Sequence, residues 1–507
     1  MFPAAEDCCF GKFDNLVNLI TSHAAVAPGR PAIVEGNCIV SYSALNRQIA
    51  QYAGFLKELG LQPKGRLALV LHDNSDHLML ILAAASLGAA ALSINWRGKV
   101  EEKRAVIESF AVDLVIHEPR VRVPGHFRTF PLDDVWRRGA ANASAAMPNP
   151  EARDLPFRIL LTSGSTGAPK GCELTHSGAV GWCVAVREGL ALQTGQRHLS
   201  ALPLAFTGSL VFNLPQLLCG NTIELFPPIF TAEEFIAAVS AGSVNGFVAV
   251  RSLLRQMMRI ARDRQIPLFP DLNYVVSLGA PLSADERRAA RELLTPFFYD
   301  NYGASGAGPI TFLAPADIEM HADSIGRAAA LREVEVVDED DHPLPRGEIG
   351  RLRCRGVGVA DCFCNDTAEG ASESFRNGWY YPGEIAQIDD DGYIRLVARA
   401  SDLILRDGRN VYPAEIEQVL TRHPSVHEAA VIGVPFQGKD EQIVAFVEVS
   451  RPTSGRELLE LCRRNLVSYK VPDRIAVVKE FPRTAAGKIL KSELGLHPAL
   501  DSSEGPA

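Results

Sequence analysis

The sequence predicts an α/β fold: a large N-terminal domain of layered α/β sheets with a β-rich subdomain, then a small C-terminal α+β domain. Three observations carry this. Up to about residue 280, short runs rich in Val, Ile and Leu alternate with stretches of helical apolar spacing, the pattern of parallel strands joined by crossover helices. From about Gly326 apolar and polar residues alternate, and Asp, Pro and Gly mark the turns; that texture suits antiparallel pairing. After Arg399 a helix, two strands and a second helix follow within about a hundred residues, the size of a compact domain.

The start, "MFPAAEDCCFGKF", holds Glu6 and Asp7 and lacks a basic head followed by an apolar run, so it does not read as a secretory signal. Residues 43–60 have helical spacing and stop at Gly60; "RLALVLHD" (66–73) reads as a buried strand. "LMLILAAASLGAAALSI" (78–94) approaches the length of a membrane span. Its Ala content, two Ser and Gly88 suit a buried helix that ends at Gly88 and turns into a short strand, so no membrane span is expected. Further strands are expected at 112–118, 157–163, 221–227, 244–250 and 273–279. The acidic runs at 338–341 and 389–391 read as solvated hairpin turns, not metal sites.

In the last part "PAEIEQVLTRHP" and "SGRELLELCRRNL" read as helices, the second opened by a Ser cap, while "VHEAAVIGVP" and "EQIVAFVEV" read as strands. The expected limits are 1–398 for the large domain, with its β-rich part at about 326–398, then 399–496, then a disordered tail over 497–507.

Composition narrows the function. A chain of 507 residues exceeds one hydrophobic core, and 47% hydrophobic with 22% charged residues is ordinary for a soluble globular protein. A net charge of -9 without a long basic block argues against nucleic acid as the main partner. The ten Cys show no paired C-x-x-C pattern, so they read as reduced thiols of a cytoplasmic protein, not zinc ligands.

The chemistry is concentrated in "LLTSGSTGAPKG" (160–171). Gly lets a backbone turn sharply and approach a ligand, and successive N–H groups in such a turn form an anion-binding nest. Ser163, Ser165 and Thr166 add hydroxyl donors and Lys170 adds positive charge, a set suited to polyphosphate. The spacing is not that of Walker A, since Pro169 precedes Lys170.

This stretch resembles the phosphate-binding loop of the adenylate-forming superfamily, which includes acyl-CoA synthetases, nonribosomal adenylation domains and luciferases. Further segments resemble the family's motifs in order: "LGAPLS" (278–283), "NYGASGAG" (301–308), "GWYYPGEIAQIDDDGYIRLVAR" (378–399), "SDLILRDGRNVYPAEIE" (401–417) and "PRTAAGKILKSEL" (482–494). The likeness runs from about residue 15 to 496. It implies a mobile small domain and an ATP-dependent ligase that forms an acyl-adenylate, releases pyrophosphate and then transfers the acyl group to CoA.

By this resemblance Thr162, Ser163, Gly164, Ser165, Thr166, Gly167 and Lys170 bind ATP phosphates. Gly279, Ala280 and Pro281 with Asn301, Tyr302 and Gly303 enclose adenine, while Glu384 and Arg399 hold the ribose. Lys488 bridges the substrate carboxylate and the α-phosphate, where two anions must be brought together. Ser305 donates to the α-phosphate, and Ser401 stands at the hinge.

The departures are equally specific. The family usually reads Y-G-x-T-E; here Gly306 replaces the Glu that ligates magnesium, so Mg2+ arrives with ATP through phosphates and waters. Glu384 stands for the usual Asp, Ala398 for a Gly before the Arg, and Asp407 for a Gly beside the pantetheine arm. Arg406 and Arg409 flank that loop as candidates for CoA phosphates. Members selecting α-amino acids carry an Asp near the position of Thr207, preceded here by Phe206. A buried ammonium would lack its partner, so the expected substrate is an aryl or medium-sized aliphatic acid. Transfer to an amine or to a separate carrier protein, and a non-catalytic nucleotide binder, are the alternatives.

Overall fold

The structure, a computed structural model, describes residues 14–161, 169–264, 266–365, 374–406, 409–436, 439–483 and 489–495. Backbone contacts divide the chain into two compact units, Met1–Val334 with Arg353–Tyr380, and Glu335–Leu352 with Tyr381–Ala507.

Two sheets build the first unit. One has nine strands in the order Arg327–Ala328, Gly308–Leu313, Phe298–Ala304, Tyr274–Leu278, Gly246–Val250, Arg197–Ser200, Thr222–Leu225, Pro31–Glu35, Cys38–Ser41. Its inner pairs are parallel and its outer pairs antiparallel. The other has six, Thr129–Pro131, Leu114–His117, Arg66–Val70, Ala90–Ser93, Pro156–Leu161 and Gly171–Thr175, parallel except for the last pair. Helices Ser75–Ser86, His176–Leu190 and Thr207–Leu218 are buried along most of their length. They share one core with strands of both sheets, among them Leu67, Leu69, Ile33 and Val276; helices apolar on nearly every side are the ones that lie between layers.

The run from Leu78 to Ile94 is as expected. Asn74 caps the helix through the His77 N–H, Gly88 takes φ +74°, and the strand Ala90–Ser93 follows. Among the described residues no helix is long and apolar enough to cross a membrane. The acidic runs are hairpin turns: Asp338 accepts from the N–H of Asp340 and His342, and Asp389 from that of Tyr393.

In the second unit Glu384–Ile388 pairs antiparallel with Ile394–Arg399 and with residues 349–351. Residues 381–398 thus belong to the same compact unit as the C-terminal elements, although the sequence reading groups them with the large domain. Helices Pro413–Thr421 and Gly455–Asn465 pack on the sheet Val426–Phe436, Lys439–Val449, Arg474–Val478. Ser454 caps the second helix through the Glu457 N–H.

Three buried histidines make the first unit acid-sensitive. Burial lowers the pKa of His77 and His198 to about 3 and of His176 to about 4, with the Arg158 cation adding to the effect at His77. His198 Nδ1 lies 2.9 Å from the Tyr274 hydroxyl, which itself accepts from Gln216 Nε2 at 3.1 Å. The phenol therefore donates to an unprotonated ring nitrogen. An unfolded His binds its proton near pH 6.5, so below that pH the unfolded chain gains protons that the folded one refuses. Stability present above about pH 6.5 is lost as pH falls, by up to about 1.4 kcal/mol per pH unit for each such group. Thermal midpoints measured from pH 7.5 to 4.5 are expected to drop along that window. His198→Asn, which keeps an acceptor for Tyr274, should flatten the slope; an unchanged slope would assign the acid sensitivity elsewhere.

Candidate active site

The Gly-rich stretch is a hairpin connection. Strands Pro156–Leu161 and Gly171–Thr175 are antiparallel, with Leu161 opposite Gly171. The two feet of the loop are therefore neighbours, unlike a P-loop, which runs from a strand directly into a helix. Thr162, Ser163, Gly164, Ser165, Thr166 and Gly167 lie outside the described residues, whereas Lys170 lies within them.

The second foot is clamped from far along the chain. Asn365 Nδ2 donates to the Pro169 carbonyl (2.6 Å) and to Ser109 Oγ (2.7 Å), and Asn365 Oδ1 accepts the Gly171 N–H (3.3 Å). The Cys364 N–H donates to the Gly171 carbonyl at 2.8 Å. Burial pushes the Cys364 thiol up to about 11, so it stays neutral and is not a nucleophile. Lys170 Nζ lies 4.9 Å from the centre of the Phe363 ring, within cation–π range.

The first foot meets two predicted residues. Ser305 Oγ donates to the Leu161 carbonyl at 3.4 Å and lies 3.5 Å from Thr207 Oγ1. Ser305 follows the strand Phe298–Ala304, which carries Asn301, Tyr302 and Gly303. Asn301 is buried, and its Nδ2 is spent on the Thr311 carbonyl at 2.8 Å. Tyr302 is half-buried on a small cluster with Ala307 and Tyr380. A Cβ at Gly303 would come within 2.5 Å of the Gly308 carbonyl oxygen, so only Gly fits.

Gly279 ends the neighbouring strand Tyr274–Leu278 with φ +89°, followed by half-buried Ala280 and exposed Pro281. Half-buried Phe206 precedes the helix opened by Thr207, and a Cβ at Gly208 would meet Leu278 at 2.9 Å and Phe206 at 3.3 Å. These segments gather at the carboxyl ends of parallel strands, where open α/β sheets bind ligands.

Gly306 has a packing reason. A Cβ there would sit 3.0 Å from the Tyr380 ring and 3.4 Å from Cys172 Sγ, and the Gly306 carbonyl accepts the Ala360 N–H at 2.7 Å. Tyr380 packs at a tilt on Phe375, and Phe375 edge-to-face on Phe363, each pair with centroids 5.0 Å apart. An aromatic string thus runs from the Gly306 turn to Lys170. Among the described residues no group of three or more His, Cys, Asp and Glu is arranged to hold a metal ion.

In the second unit Glu384 and Arg399 are cross-strand partners, with Oε1 and Nε 3.3 Å apart; Glu384 is buried and the Arg399 side chain is 45% exposed. Ser401 lies in the 3-10 turn Ala400–Asp402. Arg406, a candidate for CoA phosphates, is engaged by Asp473 at 2.9 Å and by the Val471 carbonyl at 3.1 Å. Arg409 lies 4.9 Å from the Tyr469 ring centre. Asp407 and Lys488 lie outside the described residues. The stretch containing Lys488 is bracketed by a bridge between Arg483 and Ile489.

Sequence reasoning missed Asn365, Ser109, Phe363 and Tyr380. The Asn365 bonds span 196 and 256 positions, so no local signal marks them. Asn365→Ala removes the clamp on Lys170's side of the loop and takes a bond from three polar partners, a loss of about 1–3 kcal/mol. The expected result is a KM for ATP raised about tenfold in pyrophosphate release, with kcat changed less. An unchanged KM would show that the clamp does not position the loop.

Comparison with known proteins gives consistent findings. Residues 20–364 match the family described as "AMP-binding enzyme", and residues 415–488 match "AMP-binding enzyme C-terminal domain". The chain is 31% identical over 487 residues to a feruloyl-CoA synthase of Amycolatopsis sp, covering 93% of this chain and 96% of that protein. It is 30% identical over 506 residues to an indoleacetate–CoA ligase of Aromatoleum aromaticum, covering 94% and 96%. In structure it is similar to o-succinylbenzoate CoA synthetase from Bacillus subtilis bound to its acyl-adenylate, with TM-score 0.85, 22% identity, and 97% and 99% of the two chains covered. That last likeness is one of fold.

Proposed function

The chain belongs to the AMP-binding enzyme family, and we propose that it is an acid–thiol ligase that activates a carboxylic acid with ATP and passes the acyl group to CoA. Relatives named as CoA synthase and CoA ligase over nearly their whole length support this reading. The observation that carries it at the site is the convergence of Thr207, Ser305 and the Leu161 foot of the Gly-rich loop within 3.4–3.5 Å contacts. There the substrate segment, the adenine-side turn and the phosphate loop share one point.

In the first half-reaction an oxygen of the acid attacks the α-phosphorus of ATP. The bond to the β-phosphate breaks, pyrophosphate leaves and an acyl-adenylate remains. In the second, the CoA thiol gives up its proton and attacks the acyl carbon, and AMP leaves. Ser163, Ser165, Thr166 and Lys170 take the β- and γ-phosphates, with Thr162, Gly164 and Gly167 completing the ATP-binding set. On ATP binding Ser305 turns its one hydroxyl proton from the Leu161 carbonyl to the α-phosphate, and Lys488 brings the two anions together.

Tyr302 stacks on adenine against Gly303 and the 279–281 backbone. The Asn301 amide nitrogen is committed to Thr311, which leaves its Oδ1 to accept from the adenine amino group. Arg399 and Glu384 hold the ribose. Position 306 does not fit a protein ligand for magnesium: it has no carboxylate, and Tyr380 and Cys172 crowd it. Magnesium therefore enters with the ATP phosphates and waters.

Phe206 and Thr207 supply no counter-charge for an α-ammonium, so the acid is aryl or medium-sized aliphatic. Ser401 is the hinge about which the small domain reorients between half-reactions. We read the enzyme as cytoplasmic, the compartment that supplies ATP and CoA and keeps thiols reduced.

The deciding experiment is pyrophosphate release and product mass spectrometry with a panel of aryl and aliphatic acids, with CoA and separately with a simple amine. A thioester is expected for every acid that drives pyrophosphate release. Pyrophosphate release without any thioester, or amide formed without thiol, would overturn the CoA assignment. Lys488→Ala should slow adenylation by about two to four orders of magnitude, or ~3–5 kcal/mol of transition-state stabilisation. Transfer from a supplied acyl-adenylate should suffer far less, and equal losses in both steps would mark Lys488 as structural.

A further inference from the structure

Three anchors surround the turn Ala400–Asp402. On its upstream side the Ala400 N–H donates to the Gly383 carbonyl at 2.9 Å, which ties residue 400 to the strand pair Glu384–Ile388 and Ile394–Arg399. On its downstream side Ile404 is buried in the core of the C-terminal elements, and the Leu405 N–H donates to Glu441 Oε2 at 2.9 Å. The third anchor is ionic. Lys491 Nζ lies 3.2 Å from Asp402 Oδ2 and 2.7 Å from Glu417 Oε1.

Glu417 is on the helix Pro413–Thr421 and also accepts the Val431 N–H at 2.8 Å, so it is itself fixed to the sheet. Asp402 Oδ1 takes the Ser401 hydroxyl at 2.9 Å.

An exposed ion pair would contribute little. This one differs in two ways. All three side chains are only 22–25% exposed, and one ammonium serves two carboxylates. Burial alone would lower the Lys491 pKa, but Glu417 and Asp402 together raise it above the ordinary lysine range. Without the ammonium, Asp402 would face Glu417 as a like charge and would leave it.

We propose that Lys491 is a positioning residue that fixes the downstream edge of the hinge by holding Asp402 to Glu417. The upstream edge is held at Ala400, so the pivot is confined to the backbone of Ser401. This rests on the reading of Ser401 as the hinge, and it adds the group that limits it. Lys491 stands three positions after Lys488. The same ion pair therefore ties the segment following the adenylating lysine to the hinge, so that the two move as one body.

The test uses the full chain and reads the anchor apart from activity. Hydrogen–deuterium exchange is followed at the amides of Leu403 and Leu405, with the strand Tyr274–Leu278 as internal control. In Lys491→Met, exchange at 403 and 405 is expected to rise about tenfold while the control is unchanged. Lys491→Arg should match the parent. Asp402→Asn, a milder change that leaves Lys491 with Glu417, should reproduce the local rise if the Met variant folds poorly. In steady state the Met variant should lose about tenfold in kcat for thioester formation with the KM for ATP unchanged.

Unchanged exchange at 403 and 405, or a rise shared equally by the control strand, would overturn the proposal. Failure of the parent protein to release pyrophosphate with any acid would refute the ligase reading instead, and the exchange result would still judge the anchor.

Discussion

The antiparallel pairing of Pro156–Leu161 with Gly171–Thr175 is the constraint on which the candidate site depends. In a sheet otherwise built of parallel neighbours, this pair brings the two ends of the Gly-rich stretch to about 5 Å from each other. Each foot can then be held by a separate part of the fold. Ser305 takes the Leu161 carbonyl at one, and Asn365 takes the Pro169 carbonyl and the Gly171 N–H at the other. Two fixed feet leave a connecting segment fewer arrangements to lose when a ligand binds. The cation Lys170 stands on the fixed foot beside Phe363, not at the tip.

The strand that enters the loop also holds the segment leading to Phe206. Arg158 is fully buried, and burial lowers its pKa to about 10, so it remains charged at neutral pH. Its Nη2 donates to the Leu204 carbonyl at 2.6 Å and to Ser93 Oγ at 3.1 Å. Asp73 accepts the Leu204 N–H at 2.6 Å. Leu204 is thus gripped on both sides, two residues before Phe206. The proton order follows from the neutral His77: its Nδ1–H donates to the His72 carbonyl, so Nε2 accepts from Ser93, which in turn accepts from Arg158. The strand Pro156–Leu161 and the segment before Phe206 are therefore coupled through one buried guanidinium, and truncating it would leave several polar groups unpaired.

What could be read in the sequence was local. Helix Tyr42–Glu58, the buried helix ended near Gly88 and the Ser454 cap each announce themselves through spacing or a capping residue within a few positions. The site motifs were legible for the same reason, since each is a contiguous run. The unread features are pairings at long range. Pro31–Glu35 joins the nine-stranded sheet beside Thr222–Leu225, about 190 positions away, and no local pattern names that neighbour. Asn365 lies in "CFCNDT", which suggests nothing about a loop two hundred residues earlier. Arg406 looks available in sequence because Asp473, its partner, is 67 positions downstream.

Gly306 shows the boundary between the two kinds of information. The sequence reveals that a carboxylate is missing, but only the packing reveals what fills the place. Tyr380 crowds it and is braced by Phe375 and Phe363, the ring beside Lys170. The exchange alters the electrostatics in a definite direction. A Glu near the triphosphate holds a metal but repels phosphate oxygens when the metal is absent; an aromatic wall does neither. A position without a carboxylate sets no negative charge against an incoming polyphosphate, an effect that grows in a site that excludes water. Position 306 therefore presents an aromatic wall where the motif Y-G-x-T-E would carry a carboxylate. That wall reaches the second foot of the Gly-rich stretch, where Asn365 holds Pro169 and Gly171.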